Sequence, residues 1–453
     1  MSTSTRFPVA PLREWVRRTD VHAAARLSLL VEVLRVLDGE EASSLLGRGE
    51  LADRLERWRY QWLNQQSTRL TAEDRRSLDC LDRMANELSG RGGRPPRRTR
   101  QLVRDDGLAG PEIAEAWRHL DPARPLAPLV ERARALTIER FGEPAARDPR
   151  PASGRRMLLY APLYLSSHCI NFCTYCGFRY PRQLRRRHLS FAEAQGEANV
   201  LLRRGFRHIL LVGGEFPRLT TAEYYAQVIE WLTRQAVAPA VEIAPQSTRH
   251  YARLAEAGAC CVTLYQETYD ETLYAEYHPK GSKASYDWRF EGLDRAADAG
   301  IGRLGLGILL GLADPVEDTR AMMQHAAYLQ ARHPDRTIAF SLPRIHDAPQ
   351  GFRAPYRIDD ELFVRLYCVL RLGFPDAELV LSTRENAVLR NRLADICITQ
   401  MSAGSCTAPG GYEDRKDGGS GEQFPVSDHR TAGEMAAWLT TRGYRVAWRI
   451  GAR

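Results

Sequence analysis

From residue 157 onward the sequence alternates short β-rich runs with longer amphipathic runs, and this alternation limits the possible folds most strongly. The strand-like runs cover residues 157–165, 208–212, 240–244, 261–266, 303–309, 337–341, 378–382 and 397–401. Between them lie helix-like runs such as residues 191–202, 222–235, 286–299, 320–332 and 360–372. Strands that alternate with helices pair in parallel, and eight such units can close a barrel. The sequence therefore predicts an α/β chain with a (β/α)8 TIM-type barrel, whose active site lies at the C-terminal ends of the strands.

The first hundred residues lie outside this pattern. Apolar residues at helical spacing between positions 27 and 88 predict a group of helices. Residues 89–100 are rich in Gly, Pro and Arg, which predicts a flexible linker. We therefore expect a helical extension with its linker over residues 1–100, followed by the barrel and its closing segment over residues 101–453.

The positive charge of the chain comes almost entirely from arginine. Lys and Arg total 64 against 56 Asp and Glu, a net charge of +8, and only Lys280, Lys283 and Lys416 are lysines. The arginines are spread over the whole length, which is typical of a GC-rich genome and does not favour a nucleic-acid partner, although RNA binding through them is an alternative. No run reaches the ~20 apolar residues of a membrane span, and no secretory signal is recognisable. The sequence predicts a cytoplasmic protein with no membrane partner.

Three of the nine cysteines stand together just after the first strand-like run. Cys169, Cys173 and Cys176 have the spacing Cys-x3-Cys-x2-Cys, whereas the other six are scattered and argue against paired disulfides. Three thiolates on one short loop can hold three irons of a four-iron cluster and leave the fourth iron open to a ligand. The residues alone leave two alternatives, which are a zinc ion held with His168 and a chance cluster of structural cysteines.

The cysteine motif, with the aromatic Tyr175 directly before its last cysteine, resembles the signature of the radical S-adenosylmethionine (SAM) enzymes. The flanking segments, residues 160–166 and Gly177-Phe178, are similar to those of the aromatic amino-acid lyases in that superfamily. These are the 2-iminoacetate synthases of thiamine thiazole formation, the tyrosine-cleaving maturases of iron-only hydrogenase and, more distantly, the tryptophan lyases of thiopeptide pathways. The resemblance covers about residues 160–448 and implies a [4Fe–4S] cluster on Cys169, Cys173 and Cys176, with SAM as second cofactor.

The resemblance also implies a reaction. A 5′-deoxyadenosyl radical from SAM takes hydrogen from the amino nitrogen of tyrosine, and Cα–Cβ cleavage gives 2-iminoacetate (dehydroglycine) and p-cresol. A lyase for tryptophan or another amino acid of secondary metabolism is the alternative. The partners expected are a small amino-acid substrate, an external electron donor of the flavodoxin or ferredoxin type, and a pathway protein that docks on the helical extension. No cysteine follows Cys406, so the second cluster of the hydrogenase maturases is not expected.

By the same resemblance, six residues are expected to bind SAM, namely Tyr175, Gly213, Gly214, Glu215, Glu242 and Arg289. The Gly-Gly-Glu segment would hold the methionyl amino group, Glu242 the ribose and Arg289 the carboxylate. The residues alone also allow an ordinary turn at the glycines, an outward or salt-bridged Glu242 and a solvated Arg289.

Two further residues are candidate catalytic residues. Arg384 stands in a Ser-Thr-Arg-Glu segment, where the aromatic lyases bind the substrate carboxylate, because a guanidinium forks onto a carboxylate. The alternative is a structural pair between Arg384 and Glu385. Glu267 stands in the run 264–269, which ends the fourth strand and is polar where a strand should stay apolar, a pattern typical of an active site at the mouth of a barrel. Arg344 is expected nearby without an assigned step, and the basic stretch at residues 182–187 is either shared with the family or a solvated face.

Overall fold

The computed structural model describes residues 6–40, 44–65, 70–93, 97, 109–142, 154–346, 351–413 and 421–450. Within them, eight parallel strands follow one another in the order β2-β3-β4-β5-β6-β7-β8-β1, and β1 pairs with β2 to close the barrel. The strands are β1 (Arg156–Ser166), β2 (His208–Gly213), β3 (Ala238–Glu242), β4 (Cys261–Glu267), β5 (Arg303–Ile308), β6 (Thr337–Ser341), β7 (Glu378–Leu381), β8 (Gln400–Ser402) and β9 (Arg445–Ala447). The predicted TIM-type barrel is confirmed.

Helices follow most strands of the barrel, and six more precede it in the described part of the chain. They are α1 (Val9–Thr19), α2 (Ala23–Leu37), α3 (Arg48–Gln65), α4 (Ala72–Leu88), α5 (Pro111–Trp117), α6 (Leu126–Phe141), α7 (Phe191–Arg203), α8 (Ala222–Arg234), α9 (Thr248–Ala257), α10 (Glu271–Tyr277), α11 (Tyr286–Phe290), α12 (Gly292–Asp298), α13 (Pro315–Arg332), α14 (Asp360–Gly373), α15 (Ala387–Ile396) and α16 (Ala432–Thr441). None of the described helices is long and apolar enough to cross a membrane.

Polar residues start the barrel helices at defined positions. The side chain of Ser190 accepts a hydrogen bond from the backbone N–H of Glu193 at the start of α7, and Thr431 does the same with Glu434 at the start of α16. Such reciprocal caps satisfy N–H groups that have no partner inside the helix. Because the strands of the barrel are parallel and lead into such helices, their C-terminal ends all open on the same side.

Three expectations about the elements need correction. Residues 397–399 were expected to begin the eighth strand, but Cys397 is the C-terminal cap of α15 and β8 begins at Gln400. The run 286–299 forms two helices that are separated at Glu291. The buried carboxylate of Glu291 accepts a hydrogen bond from Arg59 of the N-terminal helices. The short strand β9 was not expected, because three residues paired to the first half of β1 give no periodic signal.

The N-terminal helices α1 to α4 pack around their own apolar core, which includes Trp15, Trp58 and Trp62. Buried polar contacts tie this unit to the barrel. Arg59 donates to Glu291 at 2.5 and 3.1 Å. Tyr60 also donates to the Glu291 carboxylate. Because Glu291 lies between α11 and α12, these contacts hold α11 from outside the barrel.

Arg97 stands in the segment expected to be a flexible linker, yet it is 1% exposed. Its guanidinium lies 2.7 Å from Asp82 of α4, 3.1 Å from Glu56 of α3 and 2.8 Å from Asp298 of α12. Arg97 therefore connects the N-terminal helices to the barrel through ion pairs with these three carboxylates. The other residues of 94–100 lie outside the described part, and the division of the chain near residue 100 stays a proposal.

Replacing Arg97 with methionine is expected to destabilise the protein by about 3–5 kcal/mol, because three buried carboxylates lose their shared cation. Chemical denaturation measures this loss. Arg118→Met is the control, since Arg118 is 67% exposed and its pair with Glu115 is a surface pair. An Arg97→Met protein that unfolds at the same denaturant concentration as wild type would refute the role assigned to Arg97.

Candidate active site

The cysteine loop follows β1 at the C-terminal mouth of the barrel, and hydrogen bonds from several directions fix it. Arg186 donates to the carbonyl oxygens of Ser167 at 2.5 Å and Phe178 at 2.9 Å. The N–H of Ile170 donates to the Glu215 carbonyl at 2.9 Å. Arg186 thus binds the loop from within, so the interpretation of residues 182–187 as a solvated face is wrong for this residue.

The three cysteines of the motif line one cleft of about 100 Å³, together with Gly213, Gly214, Glu215, Glu242, Glu267 and Arg289. These nine are among the eleven residues expected to bind metal or SAM or to act in catalysis, and Glu267 is one of the two candidate catalytic residues. They come from the ends of β1 to β4 and from α11. The structure therefore brings most of the expected site together in one place.

The spacing of the thiols bears on which metal fits them. A single zinc ion, with Zn–S bonds of about 2.3 Å, brings its ligand atoms to roughly 4 Å from one another. Among the described residues, the group of potential ligands within 4.8 Å of one another is Asp294, Asp298 and His333, and the three thiols do not form such a group. Three thiols spread around one cleft suit a larger iron–sulfur cluster, so the arrangement disfavours the zinc alternative.

Burial keeps two of these cysteines, Cys169 and Cys173, protonated until a metal binds. It raises the pKa of Cys173 to about 12 and also raises the pKa of Cys169. A bound metal must displace these protons, because the thiolate is the ligand. The thiols therefore fit a metal centre better than a reactive free thiol.

The glycines at the end of β2 allow the cysteine loop to approach closely. A Cβ atom on Gly214 would lie 2.4 Å from the carbonyl oxygen of His168 and 3.1 Å from Cys169 Cβ. A Cβ on Gly213 would lie 2.3 Å from the buried hydroxyl of Tyr225. The segment is therefore more than an ordinary turn, since a side chain at Gly214 would collide with the cysteine loop.

Gly214→Ala is expected to displace the cysteine loop at a cost of about 1–3 kcal/mol and to lower the iron bound after anaerobic reconstitution. Iron and sulfide content per chain measure the effect. Gly433→Ala is the matched control, because a Cβ at this position on α16 would have no atom within 4 Å. Equal iron content in both variants and wild type would show that the close approach does not matter.

Two carboxylates in the cleft have opposite electrostatic surroundings. Burial raises the pKa of Glu242 to about 7, and no ion pair of Glu242 occurs among the described residues. Burial also acts to raise the pKa of Glu267, but Lys283 and Arg289 outweigh it and hold the pKa below its usual value. Lys283 Nζ lies 2.6 Å from Glu267 Oε1. Glu267 is thus a fixed anion, whereas Glu242 can carry a proton near neutral pH.

Arg289 is not the solvated arginine that the sequence also allowed, since it is 9% exposed. Its Nε donates to the Tyr265 carbonyl at 2.6 Å, and another nitrogen lies 3.4 Å from Glu267. Glu267 itself has a φ of 73° at a bulge in β4, a strained backbone for a residue with a side chain. Strain and ion pairs together hold this part of the cleft in one arrangement.

Arg384 follows β7 and lines a second, adjoining cavity. Its guanidinium lies 3.5 Å from the centre of the Phe424 ring, and no carboxylate pairs with it in the described part of the chain. The alternative of an Arg384–Glu385 pair is wrong, because Glu385 accepts from Arg344 and lies 3.1 Å from His346 Nε2. The positive charge of Arg384 still acts on Glu242 and Glu267, where it works to lower both pKa values.

Tyr175 lies apart from the other expected SAM-binding residues. It lines the cavity of Arg384 rather than the cysteine cleft, and its hydroxyl lies 2.8 Å from His278 Nε2. The C-terminal segment covers the same region, since the Gln423 carbonyl oxygen would be 2.3 Å from a Cβ on Gly177. Gln423 also contacts Cys176 Sγ at 3.7 Å.

Sequence reasoning did not single out Lys283 or Asn171 as site residues. The Asn171 side chain donates to Glu215 at 2.7 Å and accepts from the backbone N–H of Lys283 at 2.9 Å. It thus connects the cysteine loop to the segment after β2 and to the segment that contains Lys283. The rarity of lysine was an available signal, because two of three lysines fall at 280 and 283 in a chain where arginine supplies nearly all the positive charge.

Known proteins are similar to this chain in both amino-acid sequence and three-dimensional structure. The sequence profile of the radical SAM superfamily matches residues 163–326, and that of the Biotin and Thiamin Synthesis associated domain matches residues 341–445. The 2-iminoacetate synthase of Salmonella typhimurium is 35% identical over 360 residues, which cover 78% of this chain and 95% of that protein. This chain belongs to the 2-iminoacetate synthase family of the radical SAM superfamily.

Two further relatives agree with this placement. The 2-iminoacetate synthase of Escherichia coli is 36% identical over 352 residues, covering 77% of this radical SAM enzyme and 87% of the relative. The FeFe-hydrogenase maturase HydG from Carboxydothermus hydrogenoformans superposes with a TM-score of 0.67 at 29% identity, covering 88% of this chain and 84% of HydG. As a radical SAM enzyme, the protein uses a [4Fe–4S] cluster and SAM.

Proposed function

We propose that this radical SAM enzyme cleaves the Cα–Cβ bond of tyrosine to give 2-iminoacetate and p-cresol. The family relatives named 2-iminoacetate synthase support this reaction. The structural observation that carries it is Arg384, a guanidinium without a carboxylate partner among the described residues, next to the cysteine cleft. A free amino acid brings the carboxylate that such a cation binds in two parallel hydrogen bonds.

The protein's own residues have separate tasks in this proposal. Cys169, Cys173 and Cys176 hold the cluster, and Gly213, Gly214 and Glu215 form the adjoining wall that takes the methionyl group of SAM. Glu242 accepts from the ribose hydroxyls, while Arg289 and Glu267 hold the rest of the cofactor in place. Tyr175 stabilises the cysteine loop through the hydrogen bond between its hydroxyl and His278 Nε2. When bound, the cluster and SAM supply a 5′-deoxyadenosyl radical, and Arg384 positions the amino group of the substrate for it.

The buried arginines weaken the alternative of an RNA-binding protein. Six arginines are among the largest fully buried side chains, namely Arg59, Arg97, Arg155, Arg295, Arg371 and Arg390. These charges hold the fold together and are not available to phosphate. An amino-acid substrate, a one-electron donor protein of the flavodoxin or ferredoxin type and a cytoplasmic location fit the proposed reaction. Residues 1–100 are the part of the chain proposed to dock a pathway protein.

A substrate panel tests this proposal. Reduced, reconstituted enzyme is incubated anaerobically with SAM and tyrosine, tryptophan or phenylalanine, and the aromatic products are identified by mass spectrometry. We expect p-cresol from tyrosine and no indolic product from tryptophan. An indolic product without p-cresol would replace tyrosine by tryptophan as substrate and support the lyase of secondary metabolism.

A further inference from the structure

The helix α11, which carries Arg289, is too short to hold its own position. It has five residues, Tyr286–Phe290, and no side chain caps its start. A helix of this length is not stable by itself, because its few backbone hydrogen bonds do not offset the conformational entropy lost on forming it. The position of the Arg289 guanidinium in the cysteine cleft therefore depends on the contacts that hold α11 from both sides.

The contacts of α11 fall on two opposite sides of the helix. Each residue of a helix turns the chain by about 100°, so Arg289 and Glu291 point in roughly opposite directions. Arg289 faces the cleft, where its Nε donates to the Tyr265 carbonyl. Glu291, the C-terminal cap residue of α11, is 1% exposed and accepts from Arg59 and Tyr60 of α3. The helix thus lies between the cleft and the N-terminal helices.

Inside the cleft, Arg289 is only loosely paired. Its guanidinium lies 3.4 Å from Glu267, whereas Lys283 Nζ lies 2.6 Å from the same carboxylate. Lys283 therefore binds Glu267 more closely, and the end of the Arg289 side chain retains N–H groups for the carboxylate of a ligand. A small shift of α11 changes where these groups point, so the outer contacts of the helix decide how well Arg289 meets such a carboxylate.

Two aromatic rings and a buried guanidinium hold the outer side of α11. The rings of Trp288 and Tyr60 meet edge to face, with their centres 4.6 Å apart. The Arg295 guanidinium of α12 lies 3.7 Å from the centre of the Trp288 ring and 4.7 Å from that of Tyr60. Arg295 is fully buried and forms no ion pair among the described residues, so these rings and nearby carbonyl oxygens stabilise its charge. Tyr60 therefore contacts both helices that flank Glu291.

The same helix α3 also supports the neighbouring wall of the cleft. The Glu56 carboxylate accepts from the backbone N–H of Thr248 at 2.9 Å and from its hydroxyl at 2.6 Å. Trp288 Nε1 donates to the carbonyl of Pro245, which lies between β3, ending at Glu242, and α9. From outside the barrel, α3 thus supports two of the elements that line the cysteine cleft.

We propose that Arg59 and Tyr60 are positioning residues for the cofactor, because through Glu291 and α11 they place Arg289 where it binds the carboxylate of SAM. The N-terminal helices are then part of the cofactor site as well as a unit beside the barrel. This inference rests on the proposed function, which assigns Arg289 to SAM. Its consequence is that a change in α3, outside the cleft, weakens SAM binding while the cysteine loop keeps its cluster.

Equilibrium binding without turnover tests the inference. Reconstituted enzyme without reductant is titrated anaerobically with SAM and with decarboxylated SAM, which lacks the carboxylate, and iron content is measured on the same samples. Arg59→Met is expected to weaken SAM binding about 10-fold, because Glu291 loses its cation and α11 its outer anchor. Iron content and the affinity for decarboxylated SAM should stay at the wild-type values. Arg59→Lys, which keeps the charge, should recover part of the loss.

Two further variants serve as references. Arg97→Met is the matched control, because it removes a buried arginine from the same interface, whose partners lie on α3, α4 and α12. It should bind SAM as wild type does. Arg289→Met should weaken SAM binding about 10- to 100-fold. If Arg59→Met does not fold, Tyr60→Phe, which removes one hydrogen bond to Glu291, should show the same selective loss at about 3-fold.

The outcomes separate this inference from the role of Arg289. Equal weakening of SAM and decarboxylated SAM, or an Arg97→Met enzyme as impaired as Arg59→Met, assigns the contacts to general stability and overturns the inference. Unchanged SAM binding by a folded Arg59→Met or Tyr60→Phe enzyme, with Arg289→Met impaired, overturns it and leaves the proposed function intact. Unchanged SAM binding by Arg289→Met removes the role of Arg289 and this inference with it. Wild type that binds SAM in this way but forms no p-cresol contradicts the proposed reaction alone.

Discussion

Cys173→Ala is expected to remove the cluster and abolish turnover together. Cys173 is 5% exposed in the loop that Arg186 and Glu215 fix, so its sulfur has a defined position in the cleft. With two thiolates left, a four-iron cluster loses one of its three anchors. Iron and sulfide content, the thiolate-to-iron absorbance and the amount of 5′-deoxyadenosine formed should all fall to background.

Cys260→Ala is the control for this loss. Cys260 directly precedes β4, at the opposite end of the barrel from the cleft, and its sulfur contacts the Pro239 carbonyl at 3.1 Å. This variant should keep its iron and its activity. A Cys173→Ala enzyme that binds a full complement of iron, or a Cys260→Ala enzyme that loses it, would show that the metal centre lies elsewhere.

Arg384→Ala should separate cleavage of SAM from consumption of the substrate. Arg384 does not line the cysteine cleft, so SAM should still bind and be cleaved at a basal rate. Two charge-assisted hydrogen bonds to the substrate carboxylate, at about 1.5–3 kcal/mol each, predict a loss on the order of 10²- to 10⁴-fold in kcat/KM for tyrosine. Parallel quantification of 5′-deoxyadenosine and p-cresol measures the ratio of the two reactions.

Arg392→Ala is the matched control for Arg384→Ala, since Arg392 is an exposed arginine on α15, the helix that follows Arg384. It should leave the ratio of 5′-deoxyadenosine to p-cresol at the wild-type value. Full tyrosine turnover by the Arg384→Ala enzyme would refute a carboxylate clamp at this position.

The barrel could be predicted from the sequence because the pattern that indicates each strand and helix lies within a short stretch of residues. Each strand is a short apolar run between amphipathic helices, and β6 was predicted at its observed bounds, Thr337–Ser341. The cysteine motif was equally clear, because its three cysteines lie within eight residues of one another in the sequence. Where the signal was weak, as in β9 and at the start of β8, pairing with distant strands decides the structure.

The surroundings of the site residues depend on contacts between distant positions, which the sequence does not contain. Arg384 and Glu385 are neighbours in the chain, but Arg344, 41 residues away, takes the carboxylate and leaves Arg384 without it. The same holds for Arg97, which has the composition of a linker and the environment of a core residue. Likewise, Arg303 and Gln400 are 97 positions apart and meet only in the closed barrel.

The fate of the substrate hydrogens tests the account most directly. Tyrosine is supplied in deuterated buffer, so that its amino and hydroxyl hydrogens are deuterium, to reduced enzyme with SAM under anaerobic conditions. Hydrogen abstraction from the amino nitrogen predicts p-cresol together with 5′-deoxyadenosine that carries one deuterium from the amino group. Unlabelled 5′-deoxyadenosine, with tyrosine left intact or altered at a carbon–hydrogen bond, would contradict it.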